Sequence, residues 1–138
     1  MNFYKLVLCI FFSVAIGEKT FSQNGNIWVF GDSSGINFNQ NPPVPLKCNV
    51  KSRGTSASCC NSNGELLFYA AYDPTGMMGV HPDENGNVYD SSGVIMQNGD
   101  LIVMGLWYQE VIIIPYPDDS SLFYIFSIGI TGHYGLYY

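Results

Sequence analysis

A serine at position 33 sits in the loop Gly31-Asp32-Ser33-Ser34-Gly35, directly after the apolar run Ile27-Trp28-Val29-Phe30. The Gly-x-Ser-x-Gly spacing is that of a nucleophile elbow, in which a strand delivers the serine onto a sharp turn and a following helix lends its N-terminus to an oxyanion. The next residues here are Ile36-Asn37-Phe38-Asn39-Gln40-Asn41-Pro42-Pro43, a run of poor helix formers closed by two prolines. A base placed before the serine, as in the trypsin-like order, is excluded, because His81 and His133 both come after Ser33. The simpler reading makes the loop a turn whose glycines and serines are chosen for geometry.

The same residues also resemble the Gly-Asp-Ser opening of a family of esterases and lipases, over Val29 to Ser33 only. That family carries a later Asp-x-x-His, yet the residues three before His81 and His133 are Met78 and Ile130. A secreted hydrolase using Ser33 therefore stands as the alternative function, and it would need partner residues that this sequence does not contain. The repeated Ser-x-Asp-x-Gly-x-Thr-Trp turn of sialidase-like propellers fails as well: aligned on Gly64, its other fixed positions hold Cys60, Ser62, Leu66 and Leu67.

Other reactive side chains are dispersed. Asp73, Asp83, Glu84, Asp90, Asp100, Asp118 and Asp119 lie among turns, and the glycine in the Asp83 to Asp90 stretch is out of register for a calcium loop. Trp28, Trp107 and the tyrosines have faces suited to sugars, but aromatics at strand spacing serve mostly as packing. Cys48 could pair with Cys59 or Cys60, or all three could remain thiols; adjacent strand residues point to opposite faces, so only one of Cys59 and Cys60 faces any one partner. No residue is assigned as catalytic, cofactor-binding or metal-ligating.

The chain opens with Lys5 followed by Leu6 to Gly17, apolar but for Ser13 and broken by Glu18 and Lys19. A bilayer span takes about 20 apolar residues, so this run reads as the core of a secretory signal covering 1–22, with cleavage after Thr20-Phe21-Ser22 and before Gln23. Leu8 before Cys9 does not fit lipoprotein cleavage, and no later stretch is long and apolar enough for a membrane helix. Removal of the leader leaves Lys47, Lys51 and Arg53 against ten of the chain's 11 acidic residues, which excludes nucleic acid as a partner.

Residues 23–138 read as one all-β region of antiparallel meander type. β-rich runs at Asn26 to Phe30, Ile36 to Phe38, Ser56 to Cys60, Glu65 to Ala71, Val88 to Asp90, Val94 to Met96, Leu101 to Leu106, Val111 to Ile114 and Leu122 to Ser127 are separated by turn residues. The turns are expected at Asn61-Ser62-Asn63-Gly64, Asp73 to Gly76, Asn85-Gly86, Asn98-Gly99 and Asp118 to Ser121. Pro42-Pro43-Val44-Pro45 suits only an edge or a connection. In Leu66 to Tyr69, Val111 to Ile114 and Leu122 to Phe126 both parities are apolar, which predicts strands covered on both faces, as in stacked propeller blades. The sequence stops at Gly135-Leu136-Tyr137-Tyr138 in a strand-forming run, and further strands are expected beyond it.

Trp28-Val29-Phe30-Gly31, Gly35-Ile36-Asn37-Phe38, Pro45-Leu46 and Asn61 to Tyr69 resemble, in this order, the N-terminal region of large secreted proteins of Bacteroidota. The resemblance continues through Val88 to Gly93, Met96 to Gly99, Ile113 to Pro117, Tyr124 to Phe126 and Gly135 to Tyr138. It implies the first, incomplete blades of a β-propeller-like domain, completed by missing C-terminal blades of the same chain. Longer members of that group often add immunoglobulin-like repeats and a domain for the gliding-associated type nine secretion pathway. It further implies a secreted or surface-displayed, non-catalytic adhesion or binding scaffold for an extracellular carbohydrate or protein, and no catalytic residue. Asp32 departs from the small or amide residue expected there, and the stretch from Tyr72 to Asn87 is longer than usual.

N-terminal sequencing of the exported protein should find Gln23 first; an exported chain that still began at Met1 would contradict the leader.

Overall fold

In the computed structural model, which describes residues 25–51, 54–74, 85–105, 109–129 and 135–138, nine strands form three antiparallel sheets with three strands each. The first sheet contains β1 (Ile27–Val29), β2 (Ser34–Asn37) and β3 (Val44–Lys47). The middle sheet contains β4 (Ser56–Cys60), β5 (Leu66–Tyr72) and β6 (Gly86–Asp90), and the last β7 (Val111–Tyr116), β8 (Asp119–Gly129) and β9 (Gly135–Tyr137). Each sheet is a meander in chain order, and no helix occurs among the described residues. The all-β class with hairpin connectivity is therefore as expected. The leader 1–22, Arg53, His81, Asp83, Glu84, Trp107 and His133 lie outside the described residues.

Local chemistry sets the hairpins. Between β4 and β5 the Asn61 carboxamide oxygen accepts from the Asn63 and Glu65 amides, and Gly64 takes φ +79°, a conformation that costs a side-chain-bearing residue steric strain. Pro45 lies on β3, the edge of the first sheet, where a missing amide does no harm. After β6, Asp90 Oδ1 accepts from the Ser92 and Val94 amides and the Ser92 hydroxyl, folding the chain back along β6.

Packing follows from the parity of β5. Phe68, Ala70 and Tyr72 point to one side and join Cys59, Val88 and Met104 against Val111, Ile113, Phe123 and Ile125 of the last sheet. Tyr69 and Ala71 point to the other side, where Tyr89 joins them against Ile27 and Val29 of the first sheet and Val50. Ring pairs mark both seams: Phe68 meets Phe123 edge-on at 5.2 Å, and Tyr69 stacks on Tyr89 at 5.1 Å. The middle sheet is thus covered on both faces, as its continuous apolar pattern required.

The last sheet departs from that expectation. Val111 and Ile113 are buried against the middle sheet, but Ile112 and Ile114 are 52% and 39% exposed. Among the described residues no fourth sheet lies over them, so only one face of this sheet is covered. Val94 to Met96 and the described part of the second run, Leu101 to Gly105, do not form strands; they touch β6 through isolated bridges at Ile95 and Ile102. Positive φ at Asn98 (58°) and Leu101 (57°) interrupts the ladder between them. Gly86 is the first residue of β6 rather than a turn residue, with Asn85 closing the hairpin by accepting from the Asp73 amide. The β7–β8 turn is tighter than expected, because Tyr116 pairs with Asp119 and places Ser120 and Ser121 inside β8.

Phe68→Ala opens the seam between the middle and last sheets and should cost about 3–5 kcal/mol in denaturant unfolding. Among the described residues the buried Tyr69 hydroxyl has no hydrogen-bond partner of good geometry. Tyr69→Phe should therefore stay within about 1 kcal/mol of wild type or exceed it, and a larger loss would place an unseen partner on that hydroxyl.

Candidate functional site

Each sheet begins with an edge strand, and β4 lies between β1 and β7. An edge strand leaves backbone groups in need of partners. Side chains of the neighbouring sheet supply them: Ser56 Oγ donates to the Val29 carbonyl at 2.9 Å and Ser58 Oγ to the Ile27 carbonyl at 2.8 Å. Two residues apart on one strand, these hydroxyls share a face of β4. Gln109, just before β7, donates from Nε2 to the Ser56 carbonyl at 2.7 Å and the Val111 carbonyl at 2.9 Å.

Along these stitched edges runs a cleft of about 720 Å³. One wall is Trp28 and Phe30 of the first sheet, the floor is Ser56 to Ser58 with Gln109, and the other wall is Ile112, Phe126, Ile128 and Leu136 of the last sheet. Trp28 is 50% exposed, and its ring is braced edge-on by Phe38 at 5.1 Å and Phe30 at 6.2 Å. The walls are aromatic and aliphatic and the floor is polar, a mixture suited to amphipathic molecules. Glu110 also borders the cleft, yet it is buried, and neither carboxylate oxygen has a hydrogen-bond partner among the described residues. Its carboxylate packs tightly against Gly105, leaving no room there for a side chain. An unpartnered buried acid destabilises the fold by its lost hydration.

Ser33 is not part of this cleft. It lies exposed in the β1–β2 turn, where Asp32 and Ser33 have φ of 56° and 63°, the sign that primed hairpin turns require. The Ser33 amide donates to the Val50 carbonyl at 2.7 Å, its carbonyl accepts from the Cys48 amide at 3.1 Å, and β2 follows where an elbow needs a helix. The stretch is strand–turn–strand, with Gly31 alone of the loop reaching the cleft wall.

Cys48, Cys59 and Cys60 are all free thiols. Cys59 packs toward the last sheet, while Cys60 Sγ lies 3.8 Å from the Ile27 carbonyl on the opposite side, as strand alternation requires. Burial, and then the neighbouring Cys60, push the Cys59 thiol up to about 11; burial also raises Cys60. In the other seam, burial and the nearby Asp73 carboxylate push Tyr89 up to about 12, against the hydrogen bond from Asn87. Burial likewise raises Tyr69, the Asn49 backbone opposing it weakly. These are inert, protonated groups at neutral pH. At the turns, hydrogen bonds from Ser92 and Val94 hold Asp90 below the ordinary carboxylate value, and those from Ser121 do the same for Asp119.

Trp28 was named from the sequence among aromatics able to stack on sugars, with packing the preferred reading, and the structure leaves it half-exposed; Ser56, Ser58, Gln109 and Glu110 were not singled out. The polar pair Gln109-Glu110 before the apolar Val111 to Ile114 was the one available signal. No protein-family model, curated protein or solved structure matches the chain.

Cys59 and Tyr89 are raised by folding, so their contribution to stability is complete below about 9 and is lost as pH rises toward about 11 to 12. Asp90 and Asp119 are lowered, so theirs is present above the ordinary carboxylate value of about 4 and is lost as pH falls from there through their lowered values. Thermal melts should accordingly decline on both sides. Cys59→Ala should flatten the alkaline limb, and an unchanged limb would contradict the assignment.

Proposed function

We propose that the chain is an exported, non-catalytic binding or adhesion scaffold, displayed at or beyond the outer cell surface. Its three sheets are the first blades of a β-propeller-like domain. The observation that carries this reading is the succession of first strands, β1 beside β4 and β4 beside β7, around a middle sheet buried on both faces. Propeller blades stand around an axis in this way, with their first strands innermost. Three sheets are fewer than the about four to eight that close such a ring, so the reading requires further blades on the outer face of the last sheet. The family resemblance would supply them from further along the same chain.

Binding is assigned to the cleft at the first strands. Its half-exposed Trp28, held rigid by two phenylalanines, suits the apolar face of a sugar ring or an aromatic side chain of a protein ligand. Ser33 acts as a turn residue, and the hydrolase reading has no support in its surroundings among the described residues.

Retention of the exported protein on panels of extracellular polysaccharides and proteins tests the assignment. At least one class should retain wild type, and Trp28→Ala should weaken that retention by about tenfold or more, the loss of about 1.4 kcal/mol of contact. Labelling by a fluorophosphonate probe that Ser33→Ala abolished would overturn the non-catalytic reading.

A further inference from the structure

The side-chain hydrogens on the floor of the cleft are all committed within the chain. A serine hydroxyl has one hydrogen and two acceptor lone pairs. Ser56 and Ser58 donate theirs to the Val29 and Ile27 carbonyls of β1, so their oxygens keep accepting capacity. Gln109 is exposed at the same floor, and its Nε2 lies between the Ser56 and Val111 carbonyls, at 2.7 and 2.9 Å. Two carbonyl neighbours fix the orientation of the amide and take both of its hydrogens, which leaves Oε1 as an acceptor. The side chains of the floor therefore have acceptors to offer a ligand and no donor.

Glu110 adds a negative charge. It borders the cleft, is 5% exposed, and neither carboxylate oxygen has a hydrogen-bond partner among the described residues. Gly105 makes the room in which this carboxylate sits, since a side chain there would strike it. No lysine or arginine lines the cleft among the described residues. Salt and water screen a buried charge less than an exposed one, so Glu110 acts on the cleft more strongly than a surface acid would. The chain as a whole carries a formal net charge of −6, which draws cations toward it. Trp28, half-exposed on the cleft wall, offers the ring face on which a guanidinium or ammonium group is held by the π-electrons.

At about 720 Å³ the cleft takes a body much larger than a lone ammonium group, and its apolar walls call for apolar flanks on that body. A neutral sugar hydroxyl both donates and accepts and leaves the Glu110 charge unanswered; a guanidinium only donates, and it opposes that charge. We infer that the occupant of the cleft is a basic side chain, arginine before lysine, carried between apolar neighbours on a segment of an extracellular protein. This rests on the assignment of binding to the cleft and makes that binding selective for positive charge. The guanidinium donates to Ser56 Oγ, Ser58 Oγ or Gln109 Oε1, Glu110 supplies the opposing charge, and an apolar neighbour lies against Trp28. None of these groups belongs to β8 or β9, the strands that further sheets would cover.

Calorimetric titration of the exported chain tests this with three end-blocked tripeptides, leucine and phenylalanine flanking arginine, citrulline or glutamate. Citrulline keeps the shape of arginine without its charge. The arginine peptide should bind, the citrulline peptide about tenfold or more weakly, and the glutamate peptide not measurably. Raising NaCl from about 0.05 to about 0.5 M should weaken the arginine peptide several-fold and the citrulline peptide little. Glu110→Gln should bring the arginine peptide down to the wild-type value for the citrulline peptide, with near-ultraviolet dichroism and a cooperative melt showing that the variant is folded. The salt series reads the charge in wild type without any substitution. Equal binding of the arginine and citrulline peptides, an arginine peptide insensitive to salt, or a folded Glu110→Gln chain that still prefers arginine would each overturn the inference. Retention of neutral polysaccharides through Trp28 with no peptide bound would overturn it as well and leave the binding scaffold standing, whereas failure of every peptide and every panel member to bind would sink both.

Discussion

The fold depends on one constraint, that β5 and its neighbours in the middle sheet have two apolar faces and water can be kept from both only by a sheet on each side. Phe68, Ala70 and Tyr72 demand one cover, Tyr69 and Ala71 the other. A lone three-stranded sheet has no way to bury both. The middle sheet is therefore the element around which the first and last sheets are ordered, and its two seams carry the aromatic pairs that fix their relative position.

The second dependence is electrostatic rather than apolar. Stacking sheets face to face brings their first strands side by side and leaves the outer backbone edges of those strands to be satisfied. The chain meets this with hydroxyls and an amide from the next sheet, Ser56 and Ser58 onto β1 and Gln109 onto β4. These bonds fix the spacing between edges, and the cleft exists because the edges are held at that spacing with Trp28 on one rim and Leu136 on the other. The cleft is thus a by-product of the same stacking that buries β5.

Only local relations could be read in the sequence. Asn61 to Gly64 announced its hairpin because a carboxamide and a left-handed glycine act within five residues, and the two-faced apolar pattern of β5 announced its burial. The same pattern misled in β7, where Ile112 and Ile114 look identical to buried residues but have nothing over them among the described residues. The interruption between Val94 and Met104 was not legible, because a left-handed Leu101 is imposed by its surroundings and not by leucine's own preferences. The cleft was the least legible part, since Ser56, Ser58 and Gln109 act on carbonyls 27 to 53 positions away, a relation that no local spacing encodes. Ser33 is the converse case, a spacing that announced chemistry and serves a turn.

Residue-resolved hydrogen exchange under native conditions tests the central claim most directly, because amides protected only by global unfolding identify the element on which the rest depends. The account predicts that the β5 amides from Phe68 to Tyr72 exchange slowest and with one common free energy, while β9 and the chain from Val94 to Leu101 open locally. Protection of β5 no greater than that of β9 would contradict it.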